Sequence, residues 1–290
     1  MPVFTRGTTT FNYTSIGSGL PFVFLHGIGG GVRQPGKVLE PSPGVRLISF
    51  DARAHGATVW SGDPAELSFD TFGDDLIGLL NHLGVPRAVV GGISMGAGVA
   101  LNAAVRYPER MAGLVLARPA WLDRPMPGNI IALFDLLSSV LRELNFSVTT
   151  AEGLDWAWRS LERNSTFARV ARRYPHTAWS LRGQLTAQRA IDGVARLERV
   201  PRDRPVADLS EGTAIRVPTL VLAHREDPIH RIACGRRLAE RIADARLVEV
   251  TPRSIDRKRH AIEVQHNIER FVGRISDTQD PELELDRVAA

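Results

Sequence analysis

Cysteine is nearly absent from this 290-residue chain: Cys234 stands alone, which excludes an internal disulfide and a cysteine-based metal site. Its place in a helical pattern suits a small packing residue. Lysine is almost as scarce, with Lys37 and Lys258 the only two, so arginine supplies nearly all of the 36 basic side chains that face 32 acidic ones. No block of five or six like charges occurs, and the densest basic stretch is the short "DRKRH" of 256–260. The net charge of +4 therefore reads as a solvated, arginine-rich surface, and nucleic acid is not expected as a partner. No apolar run approaches the roughly 20 residues of a membrane span, so no membrane partner is expected. The start, "MPVFTRGTTTFNY", lacks the features of a signal peptide, which makes a cytoplasmic location the expectation. No internal repeat is visible.

What is present is an alternation. Short runs that are apolar on both faces recur: "GLPFVFLHG" (19–27), "GVRLISFDARAHG" (44–56), "RAVVGGIS" (87–94), "MAGLVLARPA" (111–120), "TLVLAH" (219–224) and "ARLVEV" (245–250). Such runs suit strands of a parallel sheet covered by helices. Helical periodicity fills the gaps, as in "SFDTFGDDLIGLLNHLG" (68–84), "IHRIACGRRLAERIA" (229–243) and "AIEVQHNIERFVGRI" (261–275). The order predicts an α/β fold with a doubly wound, mostly parallel sheet. Near the start, alternation and a "GSG" turn predict an antiparallel opening hairpin. Residues 121–212 break the rhythm with helical patterns alone, including Thr149 and Glu152 at capping-box spacing. We read 1–120 and 213–275 as the core, 121–212 as an inserted helical lid, and the polar stretch 276–290 as a flexible tail.

The most informative stretch is Gly92-Ile93-Ser94-Met95-Gly96, where a buried strand runs straight into a helix. A turn that tight forces its apex residue into an unfavourable backbone conformation and requires small neighbours on either side. It also lifts the apex hydroxyl above the sheet. The helix opening at Met95 aims unpaired amides at the same point, where an oxyanion can be held. Three further stretches fall in a telling order: "FLHGIGGG" (24–31), "FDARAHGAT" (50–58) and "LVLAHREDPI" (220–229). On these four motifs most of the chain resembles the α/β-hydrolase family. The first of the three is similar to that family's His-Gly oxyanion loop. The second is similar to its Asp-x-Arg-Gly-x-Gly turn, with Ala54 in place of the first glycine. The third is similar to the late strand whose loop carries the catalytic acid.

The resemblance implies Ser94 as nucleophile, Asp227 as the acid, with Glu226 as the fallback, and the amides of Ile28 and Met95 as oxyanion donors. Asp227 also reads as an N-cap for a helix beginning around Pro228. His26 is expected to organise its loop rather than act as a base. The family's histidine would fall near Ser254, where this chain has none, so His260 is taken as the base, with His230, His224 and His176 behind it. His266 reads as a residue facing solvent or a neighbouring helix. The implied activity is hydrolysis of a small or medium ester, thioester or lactone with an apolar portion, through an acyl-enzyme on Ser94. A C–C bond or amide hydrolase, an acyltransferase, and a non-catalytic ligand-binding protein are the alternatives. No cofactor or metal is expected, since no ligand cluster is visible and "GIGGG" does not continue as a phosphate-binding fingerprint.

Overall fold

The computed structural model describes residues 1–37, 39, 42–144, 150–186 and 190–279. Eight strands form one sheet in the order β1-β2-β4-β3-β5-β6-β7-β8. They span Val3–Arg6 (β1), Thr9–Ile16 (β2), Leu20–Leu25 (β3), Val45–Phe50 (β4), Ala88–Ile93 (β5), Met111–Ala117 (β6), Thr219–Ala223 (β7) and Ala245–Glu249 (β8). From β4 onward across the sheet every pairing is parallel. The β1–β2 and β2–β4 pairings are antiparallel. The opening hairpin turns at Gly7 rather than at "GSG"; Gly17 and Gly19 instead join β2 to β3, two strands held apart by β4.

β6 and β7 are buried at every position, which is why they read as unbroken apolar runs. Helices α1 (Phe69–His82), α2 (Met95–Arg106) and α8 (Ile232–Arg241) pack into the larger core cluster. The other face receives α9 (Arg257–Gln279), which buries Val264, Ile268, Val272 and Ile275 against Val115, Leu220 and Leu222. That spacing is one stripe of a helix, and each such side chain contributes about 1.5–3 kcal/mol by leaving water. α9 includes residues 276–279 of the expected tail; 280–290 lie outside the described residues. Ser68 caps α1, accepting from the Thr71 amide at 3.2 Å.

Between β6 and β7 the chain forms α3 (Gly128–Glu143), α4 (Ala151–Arg163), α5 (Ser165–Arg173), α6 (Pro175–Thr186) and α7 (Ala190–Arg199). The cap of α4 is Thr150, whose hydroxyl accepts from the Gly153 amide at 3.0 Å; Thr149 lies outside the described residues. Two side chains tie these helices to the sheet. Gln184 of α6 donates to the Ile28 carbonyl at 2.9 Å, and the fully buried Arg196 of α7 donates to the Ala54 carbonyl at 2.9 Å. Among the described residues no helix is long and apolar enough to cross a membrane.

Candidate active site

Four non-glycine residues have positive φ among the described residues: Ala54 (59°), Ser94 (58°), Arg118 (49°) and Glu226 (61°). Each follows the C-terminal end of a strand, β4, β5, β6 and β7 in turn. Such backbone costs about 1–3 kcal/mol per residue and persists only where the surroundings enforce it. Strain gathered at one end of a parallel sheet marks the functional edge. At Ala54 it also explains why the motif usually carries glycine there.

At Ser94 the enforcement is visible. A Cβ on Gly92 would lie 2.4 Å from the Gly96 backbone, and one on Gly96 would lie 2.5 Å from the Leu25 carbonyl oxygen. Strand, turn and helix therefore pack backbone against backbone, and both glycines are steric requirements. The Ser94 amide donates to the Ala117 carbonyl at 3.0 Å, fixing the apex to the neighbouring strand.

The Ser94 hydroxyl lies 2.8 Å from His230 Nε2, and His230 Nδ1 lies 2.9 Å from Asp227 Oδ2. The structure therefore brings His230, not His260, to Ser94. His260 sits in the first turn of α9, with Nδ1 donating to the Thr251 carbonyl at 2.8 Å and its ring edge-on to His224 at 5.3 Å. Anchored there, it makes no contact with the serine. His224 has Nδ1 on the Arg225 carbonyl at 2.6 Å, while His176 stacks on Trp179 and His266 is exposed. Glu226 is exposed, whereas the Asp227 carboxylate is buried.

The helix expected around Pro228 begins only at Ile232, which leaves His230 on a loop. Asp227 holds that loop: its Oδ1 accepts from the amides of Ile229 and His230, both at 3.1 Å. Asp227 does not cap α8, whose N-cap position is Arg231; one carboxylate oxygen anchors the turn and the other meets the His230 ring. Helical periodicity through 229–243 concealed this. The missed signal was the three-residue spacing Asp227…His230, which places an imidazole within reach of the carboxylate that anchors its own loop.

Charge around the pair is dense. Arg118 donates to Asp227 Oδ2 at 2.5 Å, so two donors converge on one oxygen. Burial opposes the charge on Asp227, but His230 and Arg118 outweigh it and hold the carboxyl well below its ordinary range. Burial lowers the pKa of His230; Asp227 raises it, Arg118 lowers it again, and the net direction is down. A neutral imidazole with Nδ1–H on the carboxylate leaves Nε2 free to accept the serine proton.

The loop after β3 is fixed by internal bonds. Gln34 Oε1 accepts from the Gly27 amide at 2.7 Å, and the Gly30 amide donates to the Gly27 carbonyl at 2.9 Å. His26 accepts from the Ala52 amide through Nε2 at 3.0 Å and donates from Nδ1 to the Gly27 carbonyl at 2.8 Å. Both ring nitrogens are occupied, and burial lowers its pKa. Gly27 lies against Ser94, where an added Cβ would come 3.4 Å from the serine Cβ, so the Ile28 amide stands one residue from that contact. The Met95 amide is the first of α2. Among the described residues no three His, Cys, Asp or Glu side chains gather as a metal site would need.

A serine on a strained strand-to-helix turn, an imidazole on its hydroxyl and a carboxylate behind it form the geometry of a nucleophile elbow with its relay. The chain belongs to the alpha/beta hydrolase fold family, whose pattern matches residues 21–252. It is 29% identical over 257 residues to the 2-hydroxymuconate semialdehyde hydrolase of a Pseudomonas species, covering 81% of this chain and 80% of that one. It is 31% identical over 262 residues to a non-heme chloroperoxidase of Kitasatospora aureofaciens, covering 85% and 89%. Among solved structures, a thermophilic esterase from Thermogutta terrifontis shares the fold with a TM-score of 0.69 at 23% identity, over 94% of this chain and 98% of that one.

Proposed function

We propose that the protein is a serine hydrolase in which Ser94 attacks a carbonyl, His230 is the base and Asp227 orients it. The single observation that carries this reading is the unbroken line from Ser94 Oγ through both His230 nitrogens to Asp227 Oδ2, at 2.8 and 2.9 Å. In the first step His230 Nε2 takes the serine proton as Oγ bonds to the carbonyl carbon. The amides of Ile28 and Met95 receive the oxyanion. His230 then returns the proton to the departing alcohol. Water attacks the acyl-enzyme with His230 again as base, releasing the acid and restoring Ser94.

The substrate class is a small or medium ester, thioester or lactone with an apolar portion. α3–α7 act as the lid, with Trp179 and Gln184 of α6 placed over the loop that holds Ile28. A second reading is cleavage of a carbon–carbon bond by the same residues, favoured by the Pseudomonas relative named as a semialdehyde hydrolase. The contact between Ser94 and His230 counts against a purely binding role.

The test compares wild type with Ser94→Ala. Prompt fluorophosphonate labelling and p-nitrophenyl ester hydrolysis, both lost in the variant, are expected. Well-folded wild-type protein that neither labels nor hydrolyses any ester rules the proposal out.

A further inference from the structure

Beside the Ser94 site lies a cavity of about 990 Å³. Its apolar wall is made by Phe24, Ile93, Ala117, Leu222 and Val250, residues at or next to the C-terminal ends of five adjacent strands. Val264 of α9 adds to it, and Trp179 of α6 closes one side. The rest of the wall combines uncharged groups such as Gln34, Gln184 and His260 with five basic side chains, Arg33, Arg118, Arg253, Arg257 and Lys258, and no acidic side chain is among the described lining residues. Lys258 is one of only two lysines in the chain.

Among the described residues only Arg118 of these cations has a carboxylate partner, Asp227. Arg33, Arg253, Arg257 and Lys258 form no ion pair among the described residues. Arg257 is occupied by the Trp179 ring, 5.8 Å from its centroid. Arg253 is half-buried, and its loop fills the place where the family's histidine was expected. Burial, foremost, then the nearby Arg118 and Arg257 lower its pKa, with Asp227 acting the other way. The cavity shares Arg118, Trp179, Ser180 and Arg253 with the smaller cleft that holds Asp227 and His230. Solvated surface cations need no counter-ion. Clustered around an apolar hollow beside a nucleophile, they form a recognition surface for an anion.

We infer that the substrate carries a carboxylate at the far end of an apolar segment, held by Arg253 and Arg257 while its ester or lactone carbonyl meets Ser94. This rests on the hydrolase reading above. A carboxylate suits the planar guanidinium fork, and the apolar wall suits the carbon segment between the two groups.

The test uses two esters of equal length, p-nitrophenyl valerate and mono-p-nitrophenyl glutarate, which differ in the terminal carboxylate. The expected kcat/KM is higher for the glutarate ester by about tenfold or more, the scale of one charge-assisted contact. That ratio should shrink as salt is raised, collapse toward one in Arg253→Gln/Arg257→Gln, and recover in part in Arg253→Lys. A wild-type ratio of one or below, or a ratio indifferent to both arginines, overturns the inference. Calorimetry of free glutarate on Ser94→Ala separates the two claims. Glutarate that binds, and is released by Arg253→Gln, supports the anion site even if neither ester is cleaved and the catalytic reading has failed. Absent binding together with Ser94-dependent hydrolysis that lacks preference sinks the anion site and leaves the hydrolase standing.

Discussion

The turn from β5 into α2 and the loop from β8 into α9 stand at the same end of the sheet, yet they obey different constraints. In the first, a Cβ added at Gly92 or Gly96 would fall 2.4–2.5 Å from backbone atoms, so neither position admits a side chain. In the second, no glycine restricts residues 250–256, and the position near Ser254, where the resemblance placed a histidine, has none; Arg253 stands beside it. Backbone strain dictates sequence position by position. A proton acceptor must only arrive with a ring nitrogen at the right point, so any element able to reach Ser94 can supply it. Here the ring that reaches Ser94 is carried by the loop after β7.

This contrast can be broken most severely at the elbow. Ser94→Ala should reduce ester turnover by about 10⁴-fold or more, measured by kcat against residual background. Next comes the base: His230→Ala should lower kcat by about 10³–10⁴-fold with folding intact, whereas His260→Ala should change it by less than about tenfold. The reverse ranking would return the role to α9. Arg118→Gln sharpens the electrostatic half. The proposed mechanism needs neutral His230, whose pKa lies below its ordinary value, so activity should persist to more acidic pH than an unperturbed imidazole allows. Removing Arg118, which lowers that pKa, should move the acidic limb of kcat/KM to higher pH; an unmoved limb would separate Arg118 from the titration.

The smallest effect concerns stability. Burial, foremost, pushes His260 down to about 4 from 6.5. A histidine depressed on folding contributes stability above its unfolded pKa and loses it as pH falls through the folded value. The window is therefore pH 6.5 to 4, with an upper bound of about 3 kcal/mol. His260→Gln should flatten the fall of Tm across that window; an unchanged slope would assign the loss to other buried groups.

Most of the sheet was legible because its strands are buried on both faces, and burial of β6 and β7 leaves continuous apolar runs. The elbow was legible for the steric reason given above. The hairpin was misplaced because "GSG" is turn chemistry that serves equally to carry the chain past a neighbouring strand, as Gly17 and Gly19 do past β4. Ser94 and Asp227 were singled out from motifs, and the geometry brings them to one imidazole. That imidazole was ranked behind His260 because residues 229–243 repeat at helical spacing. The bonds that hold 229 and 230 out of the helix come from the Asp227 carboxylate itself, and periodicity carries no trace of them.

The three-residue separation of Asp227 and His230 has a mechanical corollary. In a relay assembled from three distant segments, any breathing of the scaffold can pull carboxylate from imidazole. Here those two partners are stapled into one short arc, so thermal opening of this protein would shift both in unison and interrupt only the gap to Ser94. Loss of activity on gentle heating would then report on one hinge, and a cross-link pinning the post-β7 arc to the head of α2 would be the economical way to harden the catalyst.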